Sequence, residues 1–156
     1  MTSAPVVFDG SKSSDPDDAT FNYLWYEGTN LFSTNVIATN VLAVGTHTVR
    51  LLLDDTFPLG TNSTFVTVEV ITPAQAVGLV IEMVENSALS QKSQQPLLVS
   101  LQAAAASFDR GNPVPGVNQL QAFQNKVRAQ VAPSYPALAD QLIAAAQAII
   151  HSLGGP

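Results

Sequence analysis

A chain of 156 residues with 46% apolar, 12% charged and 7% aromatic residues carries enough apolar side chain for one ordinary domain or two small ones, and is neither disordered nor coiled-coil-like. The absence of cysteine excludes disulfides, thiolate zinc sites and cysteine nucleophiles, and no apolar run approaches the roughly 20 residues that cross a bilayer as a helix. A formal net charge of -6 with only six basic residues argues against nucleic acid, whose phosphates call for a basic stripe.

The composition changes at Thr72. Residues 1–72 hold eight acidic groups (Asp9, Asp15, Asp17, Asp18, Glu27, Asp54, Asp55, Glu69) against Lys12 and Arg50, whereas residues 73–156 balance four acids with four bases. Val, Thr, Asn and aromatics give way to Ala, Gln and Leu at the same point, which is strand chemistry followed by helix chemistry. We therefore expect an all-β unit over 1–72 and a small all-α unit over 73–156.

In the first half, β-rich runs alternate with turn clusters. Strands are expected over 4–8, 21–27, 35–41, 45–53 and 64–71. Between the first two, Asp9 to Thr20 reads DGSKSSDPDDAT, a long loop of residues that favour local side-chain hydrogen bonds or preset dihedrals over a ladder. Alternation sets His47, Val49, Leu51 and Leu53 on an inward face and Thr46, Thr48 and Arg50 toward water. Tyr23 and Trp25 share one face of their strand and Leu24 and Tyr26 the other, with the single tryptophan assigned to the core.

In the second half four helices are delimited by start and stop signals. Thr72-Pro73 is an N-cap with proline at the first helical position, opening a helix to about residue 88 that carries Val77, Val80, Ile81 and Val84. Pro96 is read as the start of the second helix, with Leu97, Leu98, Leu101, Ala105 and Phe108, and Gly111 as its left-handed stop. The third carries Val117, Leu120, Phe123, Val127 and Val131. The fourth, with Ser134 as its expected cap, carries Leu138, Leu142, Ala145, Ile149 and Leu153. Stripes of this width and short loops predict a bundle of antiparallel neighbours.

Phe8-Asp9-Gly10-Ser11, Ser14-Asp15-Pro16-Asp17, Tyr23 and Trp25 two apart, and Gly45-Thr46-His47-Thr48-Val49 leading into Asp54-Asp55 form a pattern over residues 4–72. It resembles the polycystic kidney disease (PKD) repeat, an immunoglobulin-like β-sandwich of secreted and surface proteins. Relative to that pattern the aspartate-glycine turn after the tryptophan is replaced by Glu27-Gly28-Thr29-Asn30, and the usual first strand is missing. The resemblance thus implies a sandwich lacking its first strand, with an open edge. LLVSLQAAAASFDRGN, VNQLQAFQNKVRAQ and ADQLIAAAQAII resemble the FIMAH domain, a small helical module near the C-terminus of multidomain secreted bacterial and archaeal proteins. That likeness implies context more than mechanism.

Candidate chemistry is sparse. If residues 4–72 fold as an immunoglobulin-like sandwich, the loops holding Asp9, Asp15, Asp17 and Asp18 and those holding Asp54 and Asp55 meet at one end. Crowded carboxylates suit Ca²⁺, which takes about six to eight oxygen ligands, so Asp9, Asp15, Asp17, Asp54 and Asp55 are candidate calcium ligands; the competing reading makes them turn formers and caps. Exposed aromatics at Tyr26 and Phe32 are candidates for stacking on a glycan, against a packing role. His47 and His151 are the only histidines; one lies in a strand and the other suits the negative end of a helix, so neither suggests a base beside a nucleophile. No cofactor is required by any motif.

The sequence therefore suggests a non-catalytic accessory module of a secreted or cell-surface multidomain bacterial protein, a spacer or a protein-interaction and adhesion module. The alternatives are a carbohydrate-binding module with calcium-ordered loops, or a scaffold self-assembling through the open sandwich edge. Expected partners are neighbouring domains or another surface protein, or a glycan, with neither nucleic acid nor membrane insertion.

Overall fold

The computed structural model describes residues 3–14, 22–54 and 60–155. Six strands, β1 (Ser3–Asp9), β2 (Asn22–Glu27), β3 (Asn30–Ser33), β4 (Ile37–Ala43), β5 (Gly45–Asp54) and β6 (Thr61–Val70), precede four helices, α1 (Pro73–Glu85), α2 (Gln91–Asp109), α3 (Pro113–Gln130) and α4 (Pro136–Ser152). The chain divides into two compact units, residues 2–71 and a helical unit from Thr72 onward.

The β unit contains two antiparallel sheets, one of β1 and β4 and one in the order β3-β2-β5-β6. Phe8, Ala38 and Leu42 from the first and Trp25, Val49, Leu51 and Val70 from the second form one apolar cluster, so the sheets bury facing residues against each other. Phe8 lies 5.6 Å from Trp25 and 5.9 Å from Phe32 between ring centroids, and the Trp25 Nε1 donates to the Asn35 carbonyl at 2.9 Å. A two-residue turn at Gly28-Thr29, with Gly28 at φ 60°, joins β2 to the short β3, a strand that the residue pattern does not announce. The β4-to-β5 corner carries the chain from one sheet to the other through Val44 and Gly45, and Gly45 has φ 138°, a conformation that a side chain would strain.

Phe8-Asp9-Gly10-Ser11 has a local physical basis. Phe8 enters the core, Asp9 Oδ1 accepts from the Ser11 N–H at 2.8 Å, and the Gly10 N–H donates to Val36 O at 2.9 Å. A Cβ on Gly10 would stand 3.0 Å from the Tyr23 ring and 3.1 Å from Val36 O, so the close approach requires glycine.

In the helical unit, α1 packs on α2 and α4, and α3 on the same two helices, around a core that includes Val77, Leu97, Leu101, Leu120, Phe123, Val127, Leu142 and Ile150. Thr72 caps α1 as expected and completes a capping box, its Oγ1 accepting from Gln75 N at 3.2 Å while Gln75 Oε1 accepts from Thr72 N at 2.8 Å. Helix α2 starts five residues earlier than the proline suggests. Ser90 is its cap and Pro96 lies inside, because the lost N–H falls in the second turn, where one missing bond is outweighed by packing of the flanking turns. The Pro96 carbonyl accepts from Ser100 Oγ at 3.2 Å and Lys126 Nζ at 3.1 Å, tying α3 to α2. Gly111 takes the left-handed stop at φ 72°. For α4 the expected Ser134 cap is replaced by Tyr135, with Pro136 at the first helical position and no side-chain cap bond; proline's preset φ decides the start. Gln124, 4% exposed, donates to Ile143 O at 3.2 Å and Gln147 Oε1 at 2.9 Å, which satisfies its buried amide nitrogen.

Candidate functional site

Among the sequence-predicted calcium ligands, Asp9 and Asp54 lie in the described residues, whereas Asp15, Asp17 and Asp55, with Asp18, fall outside them. Among the described residues no three His, Cys, Asp or Glu side chains gather in a metal-holding group. Asp9 acts in its turn: the Ser11 backbone N–H, and after it the Ser11 side chain, hold its carboxyl below the ordinary aspartate value.

Tyr26 and Phe32 are not brought together. The hairpin register that starts at Glu27–Asn30 pairs Tyr26 with Leu31, and alternation along β3 sets Phe32 on the opposite face, packed against the inner cluster beside Phe8. Tyr26 instead heads a cross-strand row on the outer face of the larger sheet, since it pairs with Arg50 and Arg50 pairs with Phe65. The Arg50 guanidinium carbon lies 4.6 Å from the centre of the Tyr26 ring, a contact worth about 0.5–2 kcal/mol according to how far it is desolvated. The Arg50 Nε is shielded from solvent and has no hydrogen-bond partner among the described residues. Leaving such a donor unpaired costs about 1–3 kcal/mol. Tyr26, Arg50 and Phe65, with Gly28, Thr29 and Thr48, line a shallow depression of about 400 Å³. Neither Arg50 nor Phe65 stands out in sequence as a ligand group; the signal is their pairing with Tyr26.

A second concavity lies between the sheets. Val7, Phe8 and Asp9 of β1, Trp25, Val49 and Leu51 below, and Thr64, Phe65 and Val66 of β6 line a cavity of about 310 Å³. Among the described residues β1 pairs only with β4 and β6 only with β5, so each presents a free backbone edge there. On β6, Val70 joins the buried cluster shared with the smaller sheet, whereas the strand lies open at Val66. Val66 is 44% exposed although it stands opposite fully buried Val49. Val7 and Val41, both 64% exposed, and Ile37 at 56% add apolar surface on the outer side of the smaller sheet.

His47 lies inward, as the alternation predicts. Its Nδ1 stands 2.6 Å from Glu27 Oε1 and its Nε2 2.8 Å from Ala43 O, while Asn40 Nδ2 donates to Glu27 Oε2 at 3.0 Å. Both ring nitrogens therefore face acceptors, the pattern an imidazolium satisfies, and the Glu27 hydrogen bond leads the raising of its pKa above the ordinary histidine value. This network braces the β4–β5 corner. His151 is on the last turn of α4, with its Nε2 2.8 Å from Gln147 Nε2.

Among the described residues no helix is long and apolar enough to cross a membrane. Comparison of the chain with protein-family models, with curated proteins and with solved structures finds no match.

Proposed function

We propose that this chain is a non-catalytic accessory module of a secreted or surface-displayed multidomain bacterial protein, a PKD-like immunoglobulin-type sandwich followed by a FIMAH-like helical bundle. It spaces neighbouring domains and engages a partner at the open side of the β unit. Carrying this reading is the apolar slot of about 310 Å³ flanked by edges of β1 and β6 that pair with no strand among the described residues. Two free edges over an apolar floor suit an extended segment: its backbone pairs with one edge, and alternate side chains fill the slot. The volume stands at the small end of the roughly 300–1,000 Å³ usual for ligand pockets, which favours a few inserted side chains over a bulky cofactor.

The single tryptophan, Trp25, forms part of the floor and reports occupancy directly. A synthetic peptide of alternating valine and threonine with lysine at both ends is titrated while Trp25 emission and amide exchange over 3–9 and 61–70 are followed. The reading expects a saturable emission change with added protection of one or both edges, lost in Val66→Lys. Unchanged emission and unchanged exchange at both edges would overturn it.

A further inference from the structure

We propose that the outer face of the larger sheet holds a second binding site, the Tyr26–Arg50–Phe65 row, which takes a saccharide bearing a carboxylate, a uronate. The site lies on the outer face, and of its row only Phe65 also lines the slot between the sheets.

Arg50 and Lys12 are the only basic side chains in residues 1–72, and Arg50 is placed centrally, between two aromatic rings on the neighbouring strands. Its guanidinium rests over Tyr26, and it forms no hydrogen bond or ion pair among the described residues, with its Nε withheld from water. A cation held this way is complementary to one anion, and the planar fork of a guanidinium matches a carboxylate in particular.

The aromatic flank decides between carriers of that carboxylate. Phe65 is 64% exposed, a large apolar ring face standing in water one strand spacing, about 4.8 Å, from Arg50. A pyranose offers an apolar C–H face to such a ring, and a uronate carries its carboxylate directly on the sugar ring, so stacking on Phe65 brings the anion to the adjacent guanidinium. Thr29 and Thr48 on the rim add hydroxyls for the sugar's own. An acidic peptide carries its carboxylates on flexible stems that use neither ring face.

The test follows the Arg50 Nε–H resonance by NMR during titration with oligogalacturonate, its methyl ester and hexaglutamate. The expected result is a saturable shift with oligogalacturonate alone, with the dissociation constant raised at least tenfold in Phe65→Ala and in Arg50→Gln at unchanged thermal midpoint. Arg50→Lys, which keeps the charge but not the fork, is expected to weaken binding as well; for the variants at position 50, the ring resonances of Tyr26 and Phe65 replace the lost one. Equal binding of the methyl ester, or binding retained in both Phe65→Ala and Arg50→Lys, overturns the site. Binding of hexaglutamate as tight as that of the uronate overturns the saccharide in favour of an acidic peptide, and no shift at millimolar saccharide overturns the proposal outright.

Discussion

Val49 and Val66 stand directly opposite each other on β5 and β6, yet Val49 is fully buried and Val66 is 44% exposed. One strand spacing separates core from solvent here: Val49 lies in the buried cluster shared by the two sheets, whereas on β6 that cluster holds Val70 and not Val66. The same substitution at the two positions reads the boundary. Val49→Thr buries a hydroxyl and is expected to destabilise the β unit by about 1–3 kcal/mol. Val66→Thr, at an exposed strand position, is expected to stay within about 0.5 kcal/mol. Urea unfolding followed by Trp25 emission measures both, and equal effects would mean the slot is closed in solution.

A pH dependence follows from the His47–Glu27 pair. The folded pKa of His47 is raised, chiefly by its hydrogen bond to Glu27. Folding therefore gains a contribution that is fully present below the unfolded value near 6.5 and is lost as pH rises through the higher folded value. The thermal midpoint of the β unit is expected to fall as pH rises through that window, and the fall to vanish in His47→Gln. Asp9 has the opposite sign. Its lowered pKa gives a contribution present above 3.8 that is lost as pH falls through the folded value, and Asp9→Asn should remove that acid limb.

Two helical glycines are predicted to respond oppositely to alanine. In α3 a Cβ at Gly116 would overlap Phe108 Cε1 and stand 2.7 Å from Cδ1 and Cζ of the same ring, whereas at Gly78 in α1 nothing lies within 4 Å. Gly78→Ala is expected to stabilise the helical unit by about 1 kcal/mol through helix propensity alone. Gly116→Ala gains the same propensity but forces Phe108 out of place, with an expected net loss of about 1–3 kcal/mol. Thermal melts followed at 222 nm should move in opposite directions.

The capping box at Thr72 and Gln75 predicts a third pair of effects. Thr72→Ala removes the acceptor for Gln75 N and is expected to cost about 1 kcal/mol. Thr72→Ser keeps the hydroxyl and should lie within about 0.3 kcal/mol of the parent. Amide exchange of the first turn of α1 provides the local readout: it should accelerate in the alanine variant and not in the serine variant.

What the sequence determines on its own is local. The alternation through β5 places His47, Val49, Leu51 and Leu53 on one face, because a strand's side-chain period of two holds whatever pairs with it. Thr72-Pro73 and Gly111 mark helix ends because proline and glycine restrict or permit backbone angles without help from the rest of the chain. Asp9 as a turn former is legible for the same reason, since its partner is two residues away. Pro96 shows the limit: its own geometry allows a helix start or an early interior position, and packing of the turns on either side selects the second.

Tertiary structure alone decided which strands share a sheet. Only strand pairing across distant segments aligns Tyr26 with Arg50 and Arg50 with Phe65, and only the hairpin between β2 and β3 sets Leu31 outward beside Tyr26 and Phe32 inward. The exposure of Val66 is of the same kind. Nothing in Thr64–Val68 distinguishes a covered strand from an uncovered one, because burial is set by the facing sheet, and here β6 is buried at Val70 and open at Val66.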